Sequence, residues 1–273
     1  MDHPATEEKS DSSQAIVEAF VSARLSASAV RSYPGAIPAD LKTAYAIQDA
    51  AINRWPDEIL GWKVGGVGAP YSDQLGANRL AGPVFSKRVH IKPETRLEMP
   101  VFAEGFAAIE GEVTAVIAAD APAGKTNYTI AEAVDLIGSL HMGLEIASSP
   151  FAGINEHGPV VTISDFGNNF GLVLGDEIPN WRALRAGEWE FTIEINGETI
   201  GRASPADHPA GVAESVRFML ENAAQRGRPL KRGMMILTGA VTGVHQAYAG
   251  DVGKVSCPGC APLECKLVPA EPI

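Results

Sequence analysis

The segment Phe106-Ala-Ala-Ile-Glu-Gly-Glu-Val-Thr-Ala-Val-Ile117 sets two acids into an otherwise apolar run. Read as a strand, it turns Ile109, Gly111, Val113, Ala115 and Ile117 to one face and Glu110 and Glu112 to the other, two steps of about 3.3 Å apart. Parallel carboxylates repel, so that face requires either bulk water, as on the wet side of an antiparallel strand, or a compensating cation. A second anomaly lies just downstream. Leu140, Met142, Leu144 and Ile146 alternate on one face, leaving Glu145 among His141, Gly143 and Ala147 on a face that reads as covered. Glu145 alone suits either an edge position with an arginine partner or a ligand position. Taken together, the three acids offer hard oxygen donors of the kind that suit Mg2+ or Mn2+, ions that keep coordination positions for water and substrate.

Strands of this kind need a folded body around them, and the composition supplies one. With 45% hydrophobic and 20% charged residues in 273, the chain can close a core, which rules out disorder along its whole length. A net charge of −11 gives no electrostatic footprint for nucleic acid or an anionic membrane. No uninterrupted apolar run reaches the roughly 18 to 20 residues of a bilayer crossing, and the opening Met-Asp-His-Pro-Ala-Thr-Glu-Glu is acidic where a signal peptide is basic, so a cytoplasmic protein is expected. Cys257, Cys260 and Cys265 are expected as free thiols. The Cys257-Pro-Gly-Cys260 spacing lacks both the second ligand pair of a zinc site and the following helix of a redox motif.

Along the chain, residues 1–13 read as a disordered tail. Ser13 then caps a helix with Ile16, Val17, Phe20, Val21 and Leu25 on one side, and a second helix covers Leu41 to Arg54. From Gly61-Trp-Lys-Val-Gly-Gly66 onward the pattern is mainly strand. Strands are predicted over Ala107–Ile117, Leu140–Ala147, Val160–Ser164, Gly171–Leu174, Glu190–Ile195, Met234–Leu237, Gly253–Cys257 and Leu263–Val268. Ile195-Asn-Gly-Glu198 is a hairpin signal, and helices are predicted over Thr129–Leu136 and Pro209–Gln225. Antiparallel hairpins with segregated helices predict an α+β architecture. Gly66-Val-Gly68 lacks the third glycine of a dinucleotide fingerprint, and neither a Walker loop nor a Gly-x-Ser-x-Gly elbow is present.

Several short motifs, in order, carry a family resemblance: Ala44-Tyr-Ala-Ile-Gln48, Gly61-Trp-Lys-Val-Gly65, Gln74-Leu-Gly-Ala-Asn78, Ile109-Glu-Gly-Glu-Val113, Gly143-Leu-Glu-Ile146, Gly171-Leu-Val-Leu-Gly175 and Leu230-Lys-Arg-Gly-Met-Met-Ile-Leu-Thr-Gly239. With them the chain resembles the fumarylacetoacetate hydrolase superfamily, and within it the 2-keto-4-pentenoate hydratase branch. The resemblance implies a mixed β-roll with N-terminal helices, divided as a tail over 1–13, a helical segment over 14–58 and a catalytic β-roll over 59–273. It implies a divalent metal, Mg2+ or Mn2+, on Glu110, Glu112 and Glu145. Lys63 is the implied proton-transfer group, its pKa lowered through burial by Trp62 and Val64 and by the metal. Thr238, beside Gly239, is implied at the oxygens of the substrate.

Two departures stand out. A Pro-Asp pair usual in the branch is replaced by Leu80-Ala81, and a usual Asp-Asn-x-Ser reads Asp165-Phe-Gly-Asn168, which puts Asn168 in the place of a substrate-binding serine. Asp165, His141 and His157 are the candidates to take over the missing proton chemistry. The resulting expectation is a homo-oligomeric, metal-dependent lyase, a hydratase, acting on a small 2-hydroxy-2,4-dienoate or 2-oxo acid. Decarboxylation, tautomerisation, carbon-carbon hydrolysis and a non-catalytic binding role remain open alternatives.

Overall fold

The computed structural model describes residues 4–93, 95–183, 189–205 and 211–273. Among these, the helices are α1 (Pro4–Ser26), α2 (Leu41–Ile52), α3 (Tyr71–Leu75), α4 (Ile130–Asp135), α5 (Pro159–Ser164) and α6 (Gly211–Gln225). The strands through the middle of the chain are β1 (Ile59–Gly66), β2 (Arg79–Phe85), β3 (Val89–Ile91), β4 (Leu97–Val101), β5 (Phe106–Ile117), β6 (Ile137–Ser149) and β7 (Asn169–Glu177). They are followed by β8 (Phe191–Ile195), β9 (Glu198–Ala203), β10 (Met235–Ala240), β11 (His245–Gln246), β12 (Val252–Ser256) and β13 (Leu263–Pro269).

The strands form two sheets. The larger runs β2-β1-β10-β5-β6-β7-β3, with β11 also on β5, and the smaller runs β4-β13-β12-β8-β9. Most pairs are antiparallel, but β1–β10, β3–β7 and β4–β13 are parallel, so the roll is mixed as the resemblance implies. The apolar face of β5 packs on the smaller sheet: a Cβ added at Gly111 would lie 3.3 Å from Val255 and 3.8 Å from Phe191. The acids of β5 are thereby turned to the opposite face, toward β1 and the helices.

Local chemistry fixes the ends of the elements. Asp40 caps α2 by accepting from the Thr43 amide at 2.7 Å, and Thr129 with Glu132 forms a capping box at α4. Asn196 (φ 53°) and Gly197 (φ 82°) make the predicted tight turn between β8 and β9. The first helix starts at Pro4, well ahead of Ser13, so most of the segment that reads as a disordered tail is helical backbone, with proline in the first turn, where it is tolerated. Pro209, the predicted start of the last helix, lies outside the described residues.

One predicted strand is overturned. Val160–Ser164 is helix α5, with Gly158 ahead of it, Pro159 in its first turn and all six of its residues buried. Burial on every side erases the periodicity that separates a short strand from a short helix, and the β-branched run then misleads. The helix is followed by a turn, Phe166–Asn168, that butts against β2 so closely that a Cβ at Gly82 would lie 2.1 Å from the Phe166 carbonyl oxygen. Gly82→Ala is therefore expected to lower unfolding stability by about 1–3 kcal/mol, the scale of overpacking, as read by urea denaturation. An unchanged midpoint would show that the turn and β2 do not hold this contact in solution.

Candidate metal centre

Three strands bring the predicted site together. In the β5–β6 register Glu110 sits directly opposite Glu145, and Glu112 opposite Gly143. Lys63, in the middle of β1, pairs with Gly82 on one side and with Leu237 of β10 on the other. Glu110, Glu112 and Glu145 each offer an oxygen within 4.8 Å of the others, and Lys63 Nζ is 3.5 Å from Glu145 Oε1. All four side chains are buried, Glu112 and Glu145 completely.

Protein donors only partly satisfy these oxygens. The Gly239 amide donates to Glu112 Oε2 at 3.3 Å, and Asn169 Nδ2 donates to Glu145 Oε1 at 2.8 Å. Glu112 Oε1 and Glu145 Oε2 have no partner. Unpaired carboxylate oxygen removed from water is costly, and a hard divalent cation among three such groups removes that cost. The donor set therefore fits the implied metal.

The charges perturb one another in the metal-free protein. Burial pushes the Glu110 carboxyl up to about 7, with Lys63 pulling it down and Glu145 pushing it up further. Burial, then Glu145 and Glu110, hold Glu112 well above the ordinary carboxylate range. For Lys63 the largest influence is burial, which lowers its pKa, yet Glu145, Glu110 and Glu112 together outweigh it and leave the ammonium above its usual value. This reverses the expectation for the metal-free state. Part of the reason is geometric, because alternation along β1 turns Trp62 and Val64 to the face away from Lys63, where Trp62 lies 5.0 Å from the Arg226 guanidinium.

Beside the carboxylates lies a cavity of about 380 Å3. Lys63, Glu110, Asn155, Thr162 and Asn168 are among its polar lining residues, and much of the remaining wall is small or apolar, including Gly65, Leu80, Pro159 and Val244. Asn168 is 4% exposed, and its Oδ1 has no partner. Thr238 turns its hydroxyl inward to donate to the Val113 carbonyl at 2.8 Å, so at this step in β10 it is the Gly239 amide that reaches the acids. Asp165 is not part of the lining; both its oxygens are taken, by Arg24 and by the Ser149 hydroxyl. His141 is engaged by Ser139 and the Gly175 carbonyl, and His157 stacks on Phe151. Ala81 is buried in β2, its amide donating to the Tyr45 hydroxyl. Sequence reasoning missed Asn169 and Arg24. A signal for Arg24 existed, since it continues the Val17, Phe20, Val21 stripe of α1 and an arginine facing a core needs a buried acid.

The fold agrees with the comparison to known proteins. Residues 73–268 match the fumarylacetoacetate (FAA) hydrolase C-terminal family, and the chain belongs to that family. Among solved structures it is similar to 4-oxalocrotonate decarboxylase from Pseudomonas putida G7, complexed with magnesium and adipate, with a TM-score of 0.77 and 17% identity over 95% of this chain and 98% of that one. It is also similar to fumarylpyruvate hydrolase from Pseudomonas aeruginosa in complex with Mn2+ and pyruvate, with a TM-score of 0.55 and 16% identity over 77% and 89% of the two chains. A third similar structure is 2-hydroxyhepta-2,4-diene-1,7-dioate isomerase from Mycobacterium marinum, with a TM-score of 0.53 and 19% identity over 78% and 77%. At these identities the likeness is one of fold.

Glu112→Gln, nearly isosteric and uncharged, is expected to weaken Mn2+ binding in calorimetric titration. In EDTA the same variant should melt above the wild type. Because the folded pKa of Glu112 lies above its ordinary value of 4.5, wild-type stability is undiminished below that pH and falls as pH rises past it. The gap in thermal midpoint should therefore open with rising pH. A gap that is constant from pH 4.5 to 8 would mean that Glu112 is not strained by its neighbours.

Proposed function

We propose that the protein is a metal-dependent lyase acting on a small 2-hydroxy-2,4-dienoate or 2-oxo acid, with hydration as its reaction. One observation carries this reading: three buried carboxylates, two of them with an unpartnered oxygen, cluster beside one buried lysine, and Glu110 and Lys63 of that cluster line the same cavity. Glu110, Glu112 and Glu145 would hold Mg2+ or Mn2+. Bound there, the ion supplies a Lewis acid that polarises the C1 carboxylate and C2 oxygen of the substrate.

The rest belongs to the chain itself. Lys63 Nζ, fixed beside Glu145, carries the proton exchanged with the far carbon of the conjugated system. Asn168 offers its unpartnered Oδ1 to a hydroxyl or water at the cavity wall. Leu80, Val244 and the glycines of β1 shape a wall suited to a short unsaturated carbon tail. Thr238 contributes by placing Gly239, whose amide steadies Glu112.

A second reading is decarboxylation, favoured by β2. Hydration of the dienol takes protons from the 2-hydroxyl and from the attacking water and delivers them to two carbons, the far carbon and the one beside the 2-oxo group, whereas loss of carbon dioxide ends with one proton delivered to carbon. Where an acid would assist the second transfer, β2 places Leu80 and the buried Ala81. Turnover of 2-hydroxypenta-2,4-dienoate, oxaloacetate and an acylpyruvate with Mg2+ separates the readings by product. A 4-hydroxy-2-oxo acid supports hydration, carbon dioxide supports decarboxylation, and no turnover of any of them supports a binding role without catalysis.

Lys63→Met is expected to cost about 10²- to 10⁴-fold in kcat, the scale of a positioned acid or base, with Mn2+ binding no weaker than in the wild type. Arginine should not rescue, since guanidinium keeps its proton. Intact kcat with a lowered melting temperature would make Lys63 a structural ion-pair partner. Assembly into a homo-oligomer is part of the same proposal, supported by the exposed Ile91, Val244 and Tyr248. Light scattering at micromolar concentration should give a mass of at least two chains, and a single-chain mass would remove it.

A further inference from the structure

The turn after α5 places three successive residues in the left-handed region: Phe166 (φ 54°), Gly167 (φ 62°) and Asn168 (φ 67°). Phenylalanine is disfavoured there, so surrounding structure must over-determine the turn. On one side it is wedged against Gly82 of β2. On the other it is gripped by Arg24 of α1, a side chain 2% exposed. Arg24 Nε lies 2.5 Å from Asp165 Oδ1, and Nη2 donates to Asp165 Oδ2 at 3.0 Å. The same guanidinium reaches the carbonyl oxygens of Ser148 at 3.1 Å and of Asn169 at 3.3 Å. Its plane is flanked by the rings of Phe166, Phe170 and Phe102, 5.1–5.7 Å away. A planar fork that meets a carboxylate and two carbonyls together is a geometry that lysine cannot reproduce.

What this grip holds is the near side of the metal centre. The two residues that end the turn are Asn168, at the cavity wall, and Asn169, whose Nδ2 donates at 2.8 Å to Glu145 Oε1. A buried ion pair adds little net stability over apolar side chains of the same size, so stability alone is a weak reason to keep one here. We propose that Arg24 and Asp165 are positioning residues: through the turn they hold Asn169 on Glu145 and Asn168 at the substrate cavity, so that helix α1 sets the metal affinity of the triad. This rests on reading the triad as a metal centre. It gives Asp165 a task other than proton transfer, and it ties the site to a helix outside the matched family segment, residues 73–268.

The test uses the full chain and Mn2+ alone, with binding read by calorimetry or by the resonance of free Mn2+. The double variant Arg24→Met/Asp165→Leu replaces both charges by apolar side chains and is expected to fold with a metal-free melting temperature near that of the wild type. Its Mn2+ affinity should fall about 10- to 100-fold, the usual cost of losing the support of a ligand. Asn169→Ala should lose a comparable amount, and adding it to the double variant should cost little more, because both act on Glu145. If the double variant does not fold, Arg24→Lys, which keeps the charge without the fork, decides: weaker Mn2+ binding with an unchanged circular dichroism spectrum supports the proposal. A folded variant of either kind with wild-type Mn2+ affinity overturns it. A wild-type protein that binds no Mn2+ removes the metal-centre reading instead, a result distinct from wild type and variants binding alike.

Discussion

Carboxylates that share a face and a strand register cannot all be charged, dry and unpartnered, and much of this structure is arranged around that constraint. Glu110 and Glu145 are directly opposed across β5 and β6, Glu112 is one step further along the same face, and all three are buried, with only Glu110 touching the cavity. The chain answers with one cation, Lys63, one side-chain amide, Asn169, and one main-chain amide, Gly239, and still leaves two oxygens bare. The deficit is what suits the site to a divalent ion: fully satisfied acids would bind one less readily, and solvated acids would bind one less selectively.

The opposite face of β5 explains why the constraint is tolerated. Ile109, Gly111, Val113 and Ala115 seal against the smaller sheet, so the strand cannot roll its acids out to water without exposing that core. Register, once set by the apolar face, is inherited by the polar one. The unfavourable charge arrangement is thus carried by packing energy from the other side of the same strand.

This is also why some parts of the molecule were legible in the sequence and others were not. Period-two alternation put Glu110 and Glu112 together on a face that needs water or a cation, and Glu145 on a covered one; pattern alone gave β5, β6, β13 and both helices of the N-terminal region, but not β1 or β2. The pairing of Lys63 with the acids came from resemblance, since no local signal ties residue 63 to residue 145. In the metal-free protein the direction of the Lys63 pKa depends on a sum over three carboxylates far away in sequence, which no local pattern around Trp62 reveals. Helix α5 and the turn after it were lost for a different reason: a run buried on all sides has no amphipathic signature, and left-handed Phe166 and Asn168 are conformations imposed by tertiary contact, against local preference. Asn169 and Arg24 share that origin, being informative only once the turn between them is in place.

Sheet order has a consequence for how such a protein is made. Strand β1, with Lys63, does not touch β5; β10, residues 235–240, lies between them. The amine and the acids are therefore brought into one sheet only by a strand that leaves the ribosome about 120 residues after the last of β5, by the numbering of the two elements. Until then the growing chain carries its acid cluster without the strand that unites the halves. High sequence separation of this sort slows folding, and here it also makes the meeting of amine and acids a late event in biogenesis, one that reports completion of the sheet.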